Sequence, residues 1–476
     1  MVISVITPPV TPSVEFDAAL IRKMNQLGPR YTSYPTADRF QETFGKWDYL
    51  EAVDGVRARG GRHPLSLYVH IPFCDTVCYY CACNKVVTKD RRKAVTYLSY
   101  LKREIEMQGK LFADMNEIEQ LHFGGGTPTY LSDEQMGDLM SHLRRWFRFA
   151  PDDIGEYSIE VDPRSVTPER IHSLRAQGFN RISLGVQDFD SGVQKAVNRI
   201  QPEEQTLAVI NAAREVAFRS ISVDLIYGLP KQNLMTMAQT LGKVIAASPD
   251  RIAIYNYAHL PHLFKPQRRI AEDDLPSADT KLDMLFLCIK RLRDAGYVYI
   301  GMDHFAKPTD DLAVAQMQGR LHRNFQGYST HADTDMVSVG VSAISAVGAT
   351  YSQNEKSLDA YYDRIAQGDL PIARGIKLSM DDLLRRLIIQ RLMCDFELSI
   401  SSIEMAYPIT FSKYFSTEID KLNTLEKDGL LKIDDDWISV SLKGRLLIRN
   451  VCMIFDRYLG TQPHPQPQRL RYSKTI

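Results

Sequence analysis

Leu65-Ser66-Leu67-Tyr68-Val69-His70-Ile71-Pro72-Phe73-Cys74-Asp75-Thr76-Val77-Cys78-Tyr79-Tyr80-Cys81-Ala82-Cys83 is a short apolar strand that stops at a proline and runs straight into a loop carrying four cysteines. The same succession recurs along the chain. Strand candidates at 65–71, 120–123, 157–161, 181–186, 221–226, 251–257 and 297–302 each run into polar or glycine-rich text: HIPFC, GGGTPTY, EVDPR, GVQDF, DLIYGLPKQ, NYAHLP and GMDHFA. Between them lie amphipathic stretches such as 97–112 and 134–147, with apolar residues at helical spacing. Strands alternating with helices imply a parallel sheet and an α/β fold. Conspicuous residues at the ends of successive parallel strands describe the working face of a TIM-type (β/α) barrel, partial or complete.

Outside the repeat the text changes. Residues 1–64 form an N-terminal extension or lid containing Gly28-Pro29-Arg30-Tyr31-Thr32-Ser33-Tyr34-Pro35-Thr36, too aromatic for a disordered tail. Residues 65–374 hold the barrel and its flanking segments. Residues 375–476 read as a mostly helical, winged-helix-like module. There Ser379 N-caps a helix running through Met393, and apolar runs at 431–433 and 438–440 flank a turn at 434–436. DNA binding by such a wing is disfavoured, because the helix before it mixes Glu and Asp with its Lys residues.

Composition narrows the class. The chain has 476 residues, with 58 Lys plus Arg against 58 Asp plus Glu, so no global field recruits nucleic acid or anionic lipid. Local basic pockets remain open to it. The opening residues lack a basic n-region and are broken by Pro8, Pro9 and Pro12, and no apolar run of about 18 residues occurs elsewhere. We therefore expect a cytoplasmic protein, without a membrane span, in a reducing compartment; that it is a monomer is a separate expectation.

In that compartment a tight group of cysteines reads as a metal site. Cys74, Cys78 and Cys81 place three thiolates on one loop after a strand, and thiolates are the soft ligands of iron–sulfur clusters. Three ligands leave one iron of a 4Fe–4S cube open, and an open position is a reactive one. Structural zinc with Cys83 as fourth ligand is the alternative, but such sites usually pair two motifs from separate segments. Cys288, Cys394 and Cys452 lie alone in apolar helical text and read as core thiols.

The CxxxCxxC loop after the first strand resembles the signature of radical S-adenosylmethionine enzymes. Over nearly its whole length the chain resembles one family among them, the oxygen-independent coproporphyrinogen III oxidases (coproporphyrinogen dehydrogenases). The resemblance rests on PRYTSYPTA from Pro29, LYVHIPFC from Leu67, CACNK from Cys81, HFGGGTPTYL from His122 and SIEVDPR from Ser158. It continues through GVQDF from Gly185, DLIYGLPKQ from Asp224, NYAHLP from Asn256, GMDHFA from Gly301, LHRNFQGY from Leu321 and GVSAIS from Gly340. PRYTSYPT and CxxxCxxCxC are particular to this family within the superfamily.

The resemblance implies oxidative decarboxylation of two propionates of coproporphyrinogen III to the vinyl groups of protoporphyrinogen IX, in haem biosynthesis. The implied agent is a 5′-deoxyadenosyl radical generated at the cluster. An electron donor and an electron acceptor are required as partners. The implied contacts to S-adenosylmethionine are Tyr68, Tyr80, Gly125, Glu160 and Ile344. Tyr80 replaces the commoner Phe and keeps an aromatic surface. A second S-adenosylmethionine is implied at Gly126, Thr127, Gln187, Arg199, Asp224 and Ala258.

Read without the resemblance, several of these are ordinary. Three glycines usually mean a turn, and a lone arginine such as Arg199 is usually a surface residue. Asp224 differs: within an apolar strand a charge without a partner is costly. His70, His259, His304 and His322 stand at strand ends or loops and are assigned to no metal. Cys83 sits too close to Cys81 to complete the same cube easily, and a redox or proton-transfer role stands beside a purely structural one. Given the polycarboxylate substrate that the resemblance implies, Arg30 is a candidate for substrate capture or lid closure. Two other classes remain: a haem-binding paralogue, which generally lacks the CxC extension and PRYTSYPT, and a zinc-containing winged-helix regulator.

Overall fold

The computed structural model describes residues 14–60, 64–113, 117–152, 154–332 and 334–459. The opening residues and the end of the C-terminal stretch considered above lie outside them. The frame is a parallel run of β1 (Leu65–Ile71), β2 (Glu117–Gly125), β3 (Glu156–Val161), β4 (Arg181–Gln187), β5 (Ser220–Tyr227) and β6 (Arg251–Asn256), each paired with the next. The connecting helices include α1 (Arg92–Leu111), α2 (Asp133–Trp146), α3 (Pro168–Ala176), α4 (Glu203–Glu215), α5 (Leu234–Ala247) and α6 (Ala278–Asp294).

Alternation along the strands explains the architecture. Leu67, Val69, Leu121, Phe123, Tyr157, Ile159, Leu184 and Val223 are fully buried, in one core with Leu101 and Ile105 of α1, Leu139 and Leu143 of α2, and Met237 and Leu241 of α5. The intervening residues on the other face are polar and meet across strands. Ser66 donates to Gln120, His122 to Glu160, and Ser183 to Asp224. A sheet with one apolar and one polar face curls around the polar one as a lumen, and helices cover the apolar one.

The seventh expected strand, β7 (Val298–Gly301), runs in the expected direction but does not pair with β6. The chain turns back through Gly301 and Met302, both at positive φ, and inserts β8 (His304–Ala306) antiparallel between the two. The nearest chain in sequence thus takes up the free edge of β6. On the other side β1 pairs in parallel with β9 (Asp335–Val339). From there β10 (Ile344–Val347), β11 (Thr350–Asn354) and β12 (Ile372–Lys377) continue antiparallel. The order is β7-β8-β6-β5-β4-β3-β2-β1-β9-β10-β11-β12, and the ends do not pair with each other. The barrel is partial.

Helix α7 (Met380–Asp395) starts at Ser379, whose side chain accepts from the Asp382 amide in a capping box. A three-stranded sheet follows, β13 (Glu397–Ser399), β14 (Leu431–Ile433) and β15 (Trp437–Val440), in the order β13-β15-β14. The wing-like hairpin is therefore present. The N-terminal segment is clasped by the C-terminal one: Tyr31 donates to Asp456 at 3.0 Å, and Arg449 donates to the carbonyl of Pro29 at 2.8 Å. No helix among the described residues is long and apolar enough to cross a membrane.

Candidate active site

The three thiols lie at the C-terminal end of β1, above the lumen. Cys74 Sγ is 3.4 Å from the Thr127 hydroxyl, on the loop after β2. Arg164 Nη2 and Arg199 Nη1 each donate to Cys78 Sγ at 3.5 Å. Asp162 joins the two guanidiniums, at 2.6 Å from Arg164 and 3.2 Å from Arg199. Burial alone would raise the Asp162 carboxyl, yet Arg199 and Arg164 hold it below the ordinary range. Arg199, 6 % exposed, is no surface arginine. Asp162 and Arg164 were not singled out from the sequence, although both stand in the quoted EVDPR text, two and four residues after Glu160.

Cys83 is exposed and shares a hydrogen bond with Cys81. That bond brings the Cys81 thiol down to about 5 and pushes the Cys83 thiol up. Burial pushes Cys74 up to about 11. The isolated Cys288, Cys394 and Cys452 are buried core thiols.

The glycine run has a steric reason. A Cβ at Gly124 would lie 3.0 Å from Glu160 Oε1 and from the Tyr68 hydroxyl. At Gly125, with φ +120°, it would meet His70 and the Ile71 carbonyl at 2.8 Å, and at Gly126 the backbone of Pro72 and Phe73 at 2.8 Å. The run is pressed against the start of the cysteine loop, so any side chain would push the two apart. The Gly125 amide donates to Glu160 at 3.3 Å, and Tyr68 stacks on His122 at 5.8 Å. His70 bridges Tyr68 and the Asn84 carbonyl, at 3.2 Å to each, a hydrogen-bonded structural histidine.

Deeper in the lumen, burial and then the charge of Glu160 hold the Asp224 carboxyl up at about 7. Gln187 ends β4 at positive φ, beside Gly185, whose carbonyl accepts from Arg199. Tyr80 packs against the apolar cluster of Val193, Val197 and Tyr257. Two candidates lie at the margin. Ala258 lines a cavity beside the strand ends, and Ile344 packs against Phe40, Tyr351 and Leu378. Arg30 pairs with Asp303 and lies 5.9 Å over the Tyr255 ring, on the wall of that same cavity.

Among the described residues no three His, Cys, Asp or Glu side chains close on a single metal ion. A 4Fe–4S cube spreads its thiolates over separate corners. Three soft thiols with two guanidiniums beside one of them fit such an anionic group.

Residues 68–244 match the Radical SAM superfamily, and residues 378–447 match the HemN C-terminal domain. The oxygen-independent coproporphyrinogen III oxidase of Pseudomonas aeruginosa is 51% identical over 464 residues, 98% of this chain and 99% of that one. The chain belongs to the oxygen-independent coproporphyrinogen III oxidase family. The Escherichia coli member is 51% identical over 95% of this chain and 98% of its own. The solved structure described as coproporphyrinogen III oxidase (HemN) from Escherichia coli, a radical SAM enzyme, superposes with a TM-score of 0.89 at 50% identity. It covers 94% of this chain and 100% of that one. Family membership makes the protein a radical S-adenosylmethionine oxidoreductase with a 4Fe–4S cluster and S-adenosylmethionine as cofactors.

Proposed function

We propose that this chain converts two propionates of coproporphyrinogen III to the vinyl groups of protoporphyrinogen IX, with Cys74, Cys78 and Cys81 as the cluster ligands. The observation that carries the assignment is the placement of three thiols on one loop at the open end of a polar lumen, with Arg164 and Arg199 at 3.5 Å from Cys78. When bound, the reduced cluster supplies the electron that cleaves the sulfonium of S-adenosylmethionine and thereby starts hydrogen abstraction from the substrate.

The protein's own groups bind, orient and exclude water. The two guanidiniums offset the negative charge of the thiolates beside them. Gly125 lets the backbone approach an amino-acid ligand closely, and Glu160 accepts from its amide at 3.3 Å. Tyr68, Tyr80 and Ile344 complete the first S-adenosylmethionine site. Gly126, Thr127, Gln187, Arg199, Asp224 and Ala258 hold a second molecule. The carboxyl of Asp224, at about 7, is poised to accept a hydrogen bond from a cationic or hydroxyl group of that ligand. Three thiols suffice for the cluster, so Cys83 stays outside the ligand set. Arg30, on the N-terminal lid, helps capture the substrate.

The division at 1–64, 65–374 and 375–476 belongs to the same reading, as does a cytoplasmic monomer served by an external electron donor and acceptor. The test is anaerobic incubation of the reduced holoenzyme with S-adenosylmethionine and coproporphyrinogen III, following 5′-deoxyadenosine and protoporphyrinogen together. Both form, and both vanish in Cys78→Ala. Deoxyadenosine without porphyrin product would keep the radical enzyme and remove the substrate.

A further inference from the structure

Helix α1 carries a carboxylate that the chemistry above does not use. Glu104 is fully buried, and three donors converge on it. The Gly340 amide donates to Oε2 at 2.7 Å, the Tyr361 hydroxyl to the same oxygen at 2.5 Å, and the Asn354 side-chain amide to Oε1 at 2.7 Å. Asn354 ends β11, and Tyr361 belongs to the helix Leu358–Ala366. Burial holds the Glu104 carboxyl up at about 7, and Tyr361, Gly340 and Asn354 pull it back; none of the three is a cation. A buried carboxylate held by neutral donors alone is costly, and an apolar side chain would fill the space more cheaply.

What the carboxylate holds is one residue of backbone. Gly340 is fastened at both polar atoms: its amide goes to Glu104, and its carbonyl accepts from the same Asn354 side chain at 2.9 Å. Gly340 follows β9, whose last residue, Val339, is paired with Val69 of β1. Tyr97, two turns earlier on α1, fastens both strand ends. Its hydroxyl donates to the His70 carbonyl at 2.7 Å and accepts from the Val341 amide at 3.2 Å. Residues seven apart share a helix face, so one face of α1 clamps the end of β1 to the end of β9. The approach is close: a Cβ at Gly340 would lie 2.5 Å from the Tyr97 hydroxyl and 2.8 Å from the His70 carbonyl.

Both strand ends run on into the site. His70 leads through Pro72 and Phe73 to Cys74, and Gly340 leads through Ser342 to Ile344. The second path is short and tied down. Ser342 has φ +62° and its amide donates to the Glu355 carbonyl at 2.7 Å, while the Asn354 backbone amide donates to the Ala343 carbonyl at 2.9 Å. A shift of Gly340 is therefore passed to Ile344.

We propose that Glu104 is a positioning residue for the first S-adenosylmethionine site, fixing Ile344 against the cysteine loop through Gly340. This rests on the assignment of Ile344 to that site and deepens it. Glutamine cannot substitute. Its NH₂ would face a donor at Asn354, or else at Gly340 and Tyr361, and an Asn354 amide turned to meet it would aim oxygen at the Gly340 carbonyl.

The test measures S-adenosylmethionine affinity of the cluster-loaded, oxidised protein from the absorbance of the cluster, which reports the molecule at the open iron. Melting temperature and iron content are followed alongside. Ile344→Ala weakens binding about fivefold or more. Glu104→Gln does the same with iron content unchanged, and so does Asn354→Ala, which keeps the carboxylate and decides the matter if Glu104→Gln misfolds. Tyr361→Phe, which cuts the one tie that does not reach Gly340, lowers the melting temperature and leaves the affinity within twofold. Affinity unchanged in both Glu104→Gln and Asn354→Ala overturns the positioning role. So does an affinity loss that follows the melting temperature through all three variants, Tyr361→Phe included, because that is the mark of a merely structural carboxylate. If Ile344→Ala itself has no effect, the assignment of Ile344 falls and the positioning role falls with it.

Discussion

The two ends of the lumen are built from the same strands by opposite electrostatic rules. At the N-terminal ends, charges are matched within the protein. Arg181 on β4 pairs with Glu156 on β3 at 3.2 Å and with Asp311, Thr330 donates to Glu156 at 2.7 Å, and Arg251 pairs with Asp310 at 2.9 Å. At the C-terminal ends paired and unpaired groups stand together: Asp162 holds Arg164 and Arg199, while other polar groups face their own kind or nothing. Asp224 lies near Glu160, and the Asn256 side-chain oxygen has no partner. One end is laced together by ion pairs between the strands and the other carries the thiol loop, which is the polarity expected of a (β/α) barrel.

That contrast can be broken. The largest effect belongs at the ion-paired end. Arg181→Met leaves the carboxylate of Glu156, 12% exposed, without its cation, and should cost about 3–5 kcal/mol in urea unfolding. A loss below about 1 kcal/mol would mean that the lower end is wetter and less closed than its ion pairs indicate.

The open end should respond with the opposite sign. The carboxyl of Asp224 stands at about 7 in the fold against an ordinary 3.8. The folded protein therefore keeps this proton to higher pH than the unfolded chain. Its contribution is undiminished below the ordinary value and is lost as pH rises towards 7. Asp224→Asn escapes that loss. Without added ligand, its stability relative to the parent should improve by up to roughly 2 kcal/mol between pH 5 and pH 8, while S-adenosylmethionine binding weakens. A gap that stays constant over this range would show that Asp224 ionises in the lumen without penalty.

A smaller change sets the scale away from the lumen. Ser379→Ala removes the side-chain acceptor that caps α7 and should cost about 1 kcal/mol with no effect on either cofactor. If it instead altered S-adenosylmethionine binding, the C-terminal module would be coupled to the open end more tightly than its contacts suggest.

The parts legible in the sequence are those coded locally. Each parallel strand announces itself by alternation and by the polar text that follows it, and the thiol loop by spacing alone. Ser379 and the 434–436 turn are likewise short-range signals, and each stands where expected. Arg164 was legible too, inside EVDPR, but nothing local distinguishes an arginine facing a thiol from one facing water. The inserted strand at 304–306 was missed because GMDHFA reads as the loop after a strand. Whether that loop turns back depends on the free edge of β6, about 50 residues earlier.

The sequence by itself determined the α/β class, the order of the parallel strands, the three-thiol loop and the family, because periodicity and motif spacing act over a few residues. Only the tertiary structure decided which charges meet. Arg181 finds Asp311 across 130 positions, and Arg449 finds Pro29 across 420. Coulombic and hydrogen-bond energies fall with distance through space and carry no record of distance along the chain. A buried cation is therefore recognised as paired or waiting only when its neighbours are in place.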